Sequence, residues 1–279
     1  MPIIEFQQVT FQYQRMSDPV LKDVSFAIEE GEFVAIFGDA KSTLCLCISG
    51  AIPHLIHGRL EGNIYVAGVH TQRSRIAELA TIVGMVLQDP ENQLFNLTVE
   101  ADVAFGLENL CIPREEMDER IGKALETVRM TEFRSRISSE ISGGQKQRVA
   151  IAAILARRPS IFVLDEPTRE LDPMGNKEVF EVLTRLKQEG RTIVIVDNNP
   201  EFVAPLVTKI LYVDRARVQV FENPRTFFET IRQSPIRIPQ VVDVYFRVRE
   251  KNPSLAGDFI PLTVEEGVHV FGDKKYHRS

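Results

Sequence analysis

Two short stretches of the sequence contain residues that could bind phosphate and a divalent cation. The first is the run Ser142, Gly143, Gly144 and Gln145. It opens a predicted helix, whose first backbone N–H groups and serine hydroxyl can bind an anion. In the second stretch, Asp165 and Glu166 follow the apolar residues 161–164, which predict a strand buried on both faces. Open α/β sheets bind ligands at this end of a strand, where Asp165 could hold Mg²⁺ and Glu166 could polarise an attacking water.

Each stretch alone has an ordinary explanation, because Asp-Glu after a strand is often a solvated turn and Ser-Gly-Gly a flexible helix start. In this order and spacing, with Leu171 and Asp172 following, they resemble the signature motif, Walker B strand and D-loop of ABC-type ATPases. The resemblance covers residues 1–225 and implies an α/β fold of the P-loop NTPase type. Such a fold has a mixed-sheet core, an antiparallel β subdomain and a small helical lobe, and it uses ATP and Mg²⁺.

The resemblance also implies a second ABC ATPase subunit, in a head-to-tail homodimer or heterodimer. Each composite site joins the P-loop, Gln, Asp and Glu of one subunit to the signature motif of the other. The residues expected to contact ATP in trans are Ser142, Gly143, Gly144, Gln145 and Asp172.

The P-loop expected after the buried strand at residues 33–37 is short. The usual pattern has five residues between its first Gly and its Lys, and its backbone N–H groups wrap the phosphate. Here only Asp39 and Ala40 separate Gly38 from Lys41, so three residues are missing and an anion lies where phosphate should bind. We expect weaker nucleotide binding than by an intact P-loop. The remaining candidates for binding ATP phosphates are Gly38, Lys41, Ser42 and Thr43.

Three further residues complete the predicted site. Residues 88–95 match the Q-loop, in which Gln88 reaches Mg²⁺ or water, although a plain turn is the alternative. Tyr13 closes the first predicted strand, where the family has an aromatic that stacks on adenine; a half-buried strand tyrosine is the alternative. Asn198 stands where the family has a histidine that contacts the γ-phosphate, and an amide cannot carry a proton. The catalytic candidates are Glu166, Asn198 and Gln88, and the Mg²⁺ candidates are Ser42, Gln88 and Asp165.

Hydrophobic periodicity predicts the elements that must position these residues. Strands are expected at residues 3–13, 20–28, 33–37, 64–67, 82–87, 161–164, 192–196, 209–213 and 217–221. Helices are expected from Lys41, at residues 74–80, 99–110 and 113–130, from Ser142 to residues 157–158, and before Gly190. Residues 96–140 form the predicted helical lobe. Residues 226–279 form a predicted C-terminal extension, with helices at 226–233 and 240–249 and a capping-box string at 263–266.

The amino-acid composition limits the classes of function that this protein can have. The 279 residues are 44% hydrophobic and 26% charged with a net charge of −6, which predicts an ordinary soluble protein without nonspecific nucleic-acid binding. No apolar run approaches the ~18 residues of a membrane span, and residues 1–5 lack the basic start of a signal peptide. Three cysteines give neither a disulfide framework nor a metal spacing, and Cys45 and Cys47 are expected to be small core hydrophobes.

The stretch at residues 88–109 is most similar to the ATPases of energy-coupling-factor transporters, which take up vitamins and transition metals. The first hypothesis is therefore the ATP-hydrolysing subunit of such an importer, partnered by integral membrane coupling and substrate-binding subunits. That protein would lie in the cytoplasm, peripherally on the inner face of the cell membrane. The transported solute is not encoded here, because a membrane protein selects it.

Three alternatives remain open at this point. The short P-loop and Asn198 favour a nucleotide-degenerate subunit that supplies its signature motif and scaffold contacts to a competent partner; Glu166 speaks against it. A soluble ABC ATPase of translation or DNA maintenance is the second, although no basic segment or coiled-coil insertion supports it. An in-frame loss in the gene model or the cloned gene is the third, and resequencing decides it.

Overall fold

The structure is a computed structural model that describes residues 2–169, 171–232, 234 and 236–272. The strands are β1 Ile4–Tyr13, β2 Leu21–Ile28, β3 Phe33–Gly38, β4 Gly58–Val66, β5 Val69–His70, β6 Val83–Val86, β7 Ile161–Asp165, β8 Thr192–Val196, β9 Lys209–Asp214 and β10 Arg217–Phe221. The helices are α1 Lys41–Ile48, α2 Ala51–His54, α3 Ile76–Ile82, α4 Val99–Asn109, α5 Arg114–Thr127, α6 Gly143–Ala156, α7 Pro173–Gln188, α8 Pro200–Val203, α9 Pro224–Thr230, α10 Gln240–Lys251, α11 Pro253–Ala256 and α12 Val264–Gly272. The predicted helix at 226–233 thus begins two residues earlier, and Gln233 lies outside the described residues.

A mixed sheet forms the centre of the fold. Within the described residues it has six strands in the order β10-β9-β3-β8-β7-β6. All neighbours pair in parallel except β10, which is antiparallel to β9. Strands β7 and β8 are buried along their whole length, as their unbroken apolar sequences predict, because helices cover both faces of a parallel sheet. Their carboxyl ends therefore lie side by side, which brings residues 165–166 next to residues 197–198.

A second sheet, antiparallel, has the order β2-β1-β4-β5 in the described part of the chain. The sequence predicts only residues 64–67 as a strand here, but β4 already begins at Gly58 and pairs with β1 up to Tyr13. The pairing shifts register between Gln7 and Thr10, and Gly62 lies opposite this irregularity with φ +82°. A side chain there would place its Cβ 2.4 Å from the Gln8 carbonyl oxygen, so glycine permits the close approach.

The helical lobe packs on α6, the helix that starts at the signature motif. Helices α4 and α5 both contact it, and the Thr98 hydroxyl caps α4 by accepting from the Ala101 N–H at 3.3 Å. The sequence predicts one apolar side for α6, but the helix is buried on nearly all sides, including Gln147 and Arg148. Arg148 Nη1 donates to the Val128 carbonyl at 3.1 Å and Nη2 pairs with Glu178, whereas its buried Nε has no partner among the described residues. An apolar stripe thus underestimates the burial of a helix packed between a sheet and a lobe.

The C-terminal helices share the main core. Phe227 of α9 stacks on Phe37 of β3 at 5.2 Å between ring centroids, and Tyr245 of α10 is fully buried. The predicted capping box is half formed: the Thr263 hydroxyl accepts from the Glu266 N–H at 3.1 Å, whereas the Glu266 carboxylate accepts from Leu262. The C-terminal helices therefore pack into the same core as the predicted ATPase domain and do not form a separate one. The domain limits at 1–225 and 226–279 stay predictions.

Two other sequence inferences concern membrane spans and cysteines. No helix in the described residues is long and apolar enough to cross a membrane. Cys45 and Cys47 are fully buried on α1 among aliphatic side chains, which confirms their prediction as core hydrophobes. Burial raises the pKa of both thiols, so they stay uncharged.

Candidate functional site

Asp165 ends β7 as a buried carboxylate with an unsatisfied oxygen. Only 8% of the residue is exposed, and its Oδ1 has no hydrogen-bond partner among the described residues. Burial raises the pKa of this carboxyl, and the neighbouring Ser42 hydroxyl opposes the increase. A buried, unpaired carboxylate oxygen beside a hydroxyl fits a divalent cation, because both are oxygen ligands of the kind that Mg²⁺ prefers.

Glu166 is held in an uncommon backbone conformation directly after the strand. Its φ is +48°, in the left-handed region that a non-glycine residue rarely occupies. The backbone N–H donates to the Val196 carbonyl at 2.7 Å, which fixes the turn to β8. The carboxylate accepts a hydrogen bond from Asn198 Nδ2 at 3.0 Å and lies 3.5 Å from Arg169 Nη1. The carboxylate is therefore oriented by two side chains, Asn198 and Arg169.

Asp197 forms the buried base of the turn that carries Asn198. It is 4% exposed, and its Oδ2 accepts from the Thr168 hydroxyl at 2.6 Å. Its Oδ1 accepts from the Asn199 N–H at 2.8 Å. Burial raises the pKa of Asp197, and these hydrogen bonds oppose the increase. Sequence reasoning missed this residue, although its signal was the same as for Asp165: an acidic residue directly after a buried strand.

Two donors of the short loop at residues 38–41 are already hydrogen-bonded to backbone carbonyls. Gly38 has φ +93°, and a Cβ there would lie 2.0 Å from the Val213 carbonyl oxygen. That oxygen accepts the Asp39 N–H at 2.9 Å, and Lys41 Nζ donates to the Gly38 carbonyl at 3.0 Å. Ala40, with φ +48°, starts α1 without a side-chain cap. The loop therefore satisfies some of its own donors, and the first N–H groups of α1 remain for an anion.

The Tyr13 side chain is hydrogen-bonded to α1. Its hydroxyl shares a hydrogen bond of 2.9 Å with Thr43 Oγ1, and its ring meets the Phe11 ring edge-on at 4.8 Å. Thr43 is buried, so this contact satisfies its hydroxyl. Both interpretations of Tyr13, an aromatic for adenine and a half-buried strand residue, are compatible with its position, and its role in binding stays a prediction.

Two adjacent cavities lie where these groups meet. The first, called here the Glu166 cavity, has about 190 Å³ and is lined by Glu166, Arg169, Asp197, Asn198 and Arg237 among others. The second, the Gly38 cavity, has about 490 Å³ and is lined by Gly38, Asp39, Lys41, Asn198, Asp214 and Arg237 among others. Asn198 and Arg237 line both cavities. The fold thus brings the short loop and the acidic strand end together, and Arg237 carried no sequence signal.

The signature residues form a separate site. The Ser142 hydroxyl accepts from the Gln145 N–H at 3.3 Å and Gln145 Oε1 accepts from the Ser142 N–H at 2.9 Å, which completes a capping box on α6. Asp172 caps α7 by accepting from the Gly175 N–H at 2.7 Å. The predicted in-trans residues, Ser142, Gly143, Gly144, Gln145 and Asp172, line one cavity of about 380 Å³. It shares only Leu171 with the Glu166 cavity.

Gln88 lies apart from the other predicted catalytic residues, Glu166 and Asn198. It lines a cavity of about 220 Å³ with Gly143 and Lys146, and it lines neither the Glu166 cavity nor the Gly38 cavity. Its neighbour in the loop, Gln93, is structural: Oε1 accepts from the Leu87 N–H at 2.8 Å and Nε2 donates to the Met85 carbonyl at 2.9 Å. The catalytic and metal roles of Gln88 therefore stay predictions that need a closure of the lobe towards Asp165.

Carboxylates and imidazoles in the described part of the chain do not form a metal cage. Among residues 2–169, 171–232, 234 and 236–272, no group of three or more His, Cys, Asp or Glu is placed to hold a metal ion. The pair Ser42 and Asp165 fits instead a Mg²⁺ ion that takes its other ligands from nucleotide phosphates and water, which is how Mg²⁺ is commonly bound in nucleotide sites.

Comparison with known proteins identifies a family. The family model described as "ABC transporter" matches residues 21–169. The energy-coupling factor transporter ATP-binding protein EcfA1 of Enterococcus faecalis is 43% identical over 231 residues, which cover 81% of this chain and 81% of that protein. The range matched by the family model spans the short loop, the signature run and the acidic strand end.

Solved structures of similar chains agree in fold. The structure of cbiO1 from Clostridium perfringens, described as part of the ABC transporter complex cbiONQ, has a TM-score of 0.75 and 30% identity. It covers 91% of this chain and 97% of that one. The ATP-binding cassette MJ0796, solved as a dimer in a post-hydrolysis state with ADP and Pi, has a TM-score of 0.68 and 28% identity. It covers 78% of this chain and 98% of that one.

Proposed function

The chain belongs to the ABC transporter family, and on this premise we propose that it is the ATP-hydrolysing subunit of an energy-coupling-factor type importer. As a member of this family it is an ATPase. The observation that carries the proposal is the meeting of Glu166, Asn198 and the loop at residues 38–41 at two adjoining cavities. A triphosphate on the loop would place its terminal phosphate near the Glu166 carboxylate, where water can be activated.

In this proposal Glu166 accepts the proton of the attacking water. Asn198 holds the Glu166 carboxylate through its hydrogen bond of 3.0 Å, and it cannot accept the proton itself, since its amide is neutral. Asp165 and Ser42 would hold Mg²⁺, which neutralises charge on the transferred phosphoryl group. Lys41 and the N-terminus of α1 bind phosphate oxygens once Lys41 Nζ leaves the Gly38 carbonyl.

A second ABC ATPase subunit is part of the proposal. The signature residues Ser142 and Gly143 line a different cavity from Gly38 and Glu166. The donors at the start of α6 therefore need ATP held by another subunit, and the ATP held here needs donors from that subunit. The dimeric state of the similar cassette MJ0796 supports this arrangement.

The membrane partners follow from the relatives' descriptions and from one exposed surface. EcfA1 is named as part of an energy-coupling factor transporter and cbiO1 as part of the cbiONQ complex. In the present chain, Leu97 and Phe105 are large apolar side chains exposed on the helical lobe, and the exposed Phe95 next to the lobe packs its ring edge-on against Phe105. We propose that this lobe contacts an integral membrane coupling subunit, itself joined to a substrate-binding subunit for a vitamin or transition metal ion. The chain then works peripherally on the inner face of the cell membrane.

One observation favours the alternative of a nucleotide-degenerate subunit. The Asp39 N–H and Lys41 Nζ, two donors that a P-loop turns towards phosphate, are bonded to the Val213 and Gly38 carbonyls. A subunit whose loop stayed in this state would act through its signature motif alone. Hydrolysis at the partner's P-loop would then account for all turnover of the complex.

One purification separates these functions. The tagged full-length chain is isolated from detergent-solubilised membranes of cells that express it naturally, and the bound proteins are identified by mass spectrometry. We expect one other ABC ATPase, or a second copy, together with integral membrane proteins, and ATP hydrolysis that Glu166→Gln lowers. Ribosomal or DNA-maintenance partners would contradict the importer function. Membrane partners with turnover unchanged by Glu166→Gln would favour the degenerate subunit.

A further inference from the structure

Arg237, in the segment between α9 and α10, reaches the nucleotide site from the C-terminal extension. It is one of two residues that line both the Glu166 cavity and the Gly38 cavity; the other is Asn198. Its neighbour Ile236 also lines the Gly38 cavity. The extension thus contributes a guanidinium to the place where the short loop and the acidic strand end meet.

The segment that carries Arg237 is fixed at both ends. On its N-terminal side, Ile231 is buried next to α9, whose Phe227 and Phe228 are fully buried. On its C-terminal side, the first N–H of α10, from Gln240, donates to Glu201 Oε1 at 2.7 Å. Helix α10 is itself anchored by buried residues such as Tyr245. Anchored residues therefore lie on both sides of Arg237 in the chain, and Arg237 itself is exposed where it lines the two cavities.

Arg237 differs in its bonding from Lys41 and Arg169, the other described cations that line these two cavities. In the Gly38 cavity, Lys41 Nζ donates to the Gly38 carbonyl. In the Glu166 cavity, Arg169 pairs with Glu166. Arg237 makes no ion pair with any residue in the described ranges, although Asp39, Asp214 and Glu166 line the same two cavities. Without Arg237 the Gly38 cavity would hold two carboxylates and one ammonium, a charge that repels a nucleotide polyphosphate.

We propose that Arg237 binds the terminal phosphate of ATP held by this chain, replacing backbone donors that the shortened loop does not provide. This inference rests on the proposed function, since it requires ATP in the Gly38 cavity. A guanidinium presents donors in a fork that matches two phosphate oxygens, and it stays charged at every physiological pH. Arg237 lies at the border between the Gly38 cavity and the Glu166 cavity. Because Glu166 must face the γ-phosphate for hydrolysis, a residue at this border is near the γ-phosphate and farther from the α-phosphate. Arg237 is thus a phosphate-binding residue supplied by the extension.

The test compares nucleotide affinities of the full-length chain by calorimetry with Mg-ATP and Mg-ADP at fixed ionic strength. Arg237→Ala should weaken Mg-ATP binding at least tenfold and Mg-ADP binding much less, because ADP lacks the phosphate that Arg237 contacts. Arg237→Lys should restore part of the loss, since it keeps the charge and loses the fork. The matched control is Arg247→Ala, which removes an arginine from the same extension. Its side chain is 73% exposed and pairs with Asp243 on its own helix.

Each outcome decides the proposal. A selective loss for Mg-ATP in Arg237→Ala, absent in Arg247→Ala, supports it. Equal affinities in the two variants overturn the role of Arg237 and leave the proposed function intact, as long as the unchanged chain binds Mg-ATP. Tighter Mg-ATP binding by Arg237→Ala also overturns it, because Arg237 would then obstruct the site. If the unchanged chain binds no Mg-ATP at millimolar concentration, this inference and nucleotide binding by this subunit fail together. Thermal unfolding without nucleotide checks that each variant is folded, and Arg237→Gln replaces Arg237→Ala if the latter is not.

Discussion

Asn198 Nδ2 donates a hydrogen bond to Glu166 Oε1 at 3.0 Å, across the carboxyl ends of the neighbouring strands β8 and β7. The bond joins the two residues that the family resemblance predicts beside the attacking water. The parallel pairing of Asp165 with Val196 sets the distance between the two turns. Asn198 is therefore placed to orient Glu166, the proposed general base, a role that a neutral amide can fill without exchanging a proton.

The first prediction tests this orientation. Asn198→Ala should lower ATP hydrolysis by the assembled complex about tenfold at this site, because a hydrogen bond to a charged group is worth about 1.5 to 3 kcal/mol. In a Glu166→Gln background the same change should have almost no further effect, since the base that it orients is gone. Steady-state turnover of the two single variants and the double variant measures the coupling. Additive losses would show that Asn198 acts independently of Glu166.

The second prediction concerns the signature motif. Gly143→Asp should abolish most turnover even when this subunit holds no nucleotide, because the carboxylate would face the γ-phosphate held by the partner. Repulsion at ~4 Å with an effective dielectric near 20 is about 4 kcal/mol, roughly a thousandfold in rate. A Cβ at Gly143 meets no atom within 4 Å, so steric damage within this subunit is not expected. Gly143→Asn has a side chain of similar size without the charge, so it is the control for steric effects in the dimer. If turnover of Gly143→Asp stays within a few fold of the unchanged protein, the signature motif is not part of a working site.

The third prediction concerns the short loop. Inserting three residues, so that five lie between Gly38 and Lys41 with Gly directly before Lys, should strengthen Mg-ATP binding at least tenfold. The insertion provides up to three additional N–H groups, and even one charged hydrogen bond is worth about 1.5 kcal/mol or more. It should also release Lys41 Nζ from the Gly38 carbonyl. Calorimetry on both forms at fixed ionic strength provides the comparison. Micromolar binding by the original chain, unchanged by the insertion, would show that the loop is not the defect.

The fourth prediction follows from the buried Asp197. Burial raises its pKa in the folded state, so the folded protein binds this proton more readily than the unfolded chain does. Stability from this group is therefore lost as pH rises from the ordinary Asp pKa through the raised folded value. Asp197→Asn should make the free energy of unfolding less dependent on pH in that window, because the amide does not titrate and can still bond to Thr168 and the Asn199 N–H. Urea unfolding at several pH values, with both proteins measured in parallel, isolates the difference. Parallel curves would show that Asp197 does not titrate in this window.

Local signals in the sequence determined the elements that carry the chemistry. Unbroken apolar runs identify β7 and β8 because strands covered on both faces need no alternation. Ser142 and Gln145 identify the start of α6, since a capping box depends only on residues three apart. The order of these motifs was enough to name the fold and the family, and the comparisons confirm both. The ATPase class followed from the same residues.

The tertiary structure alone decided which of these residues share a site. Gln88 belongs to the predicted metal ligands, yet it lies in the cavity with Gly143 because the loop after β6 packs against α6. The buried bond between Thr168 and Asp197 joins residues from two different strand ends. Arg237, far along the chain from every motif, lines the same two cavities as Asn198 because the helices on both sides of it pack in the main core. Such contacts depend on how distant elements pack, and neither periodicity nor a motif records that packing.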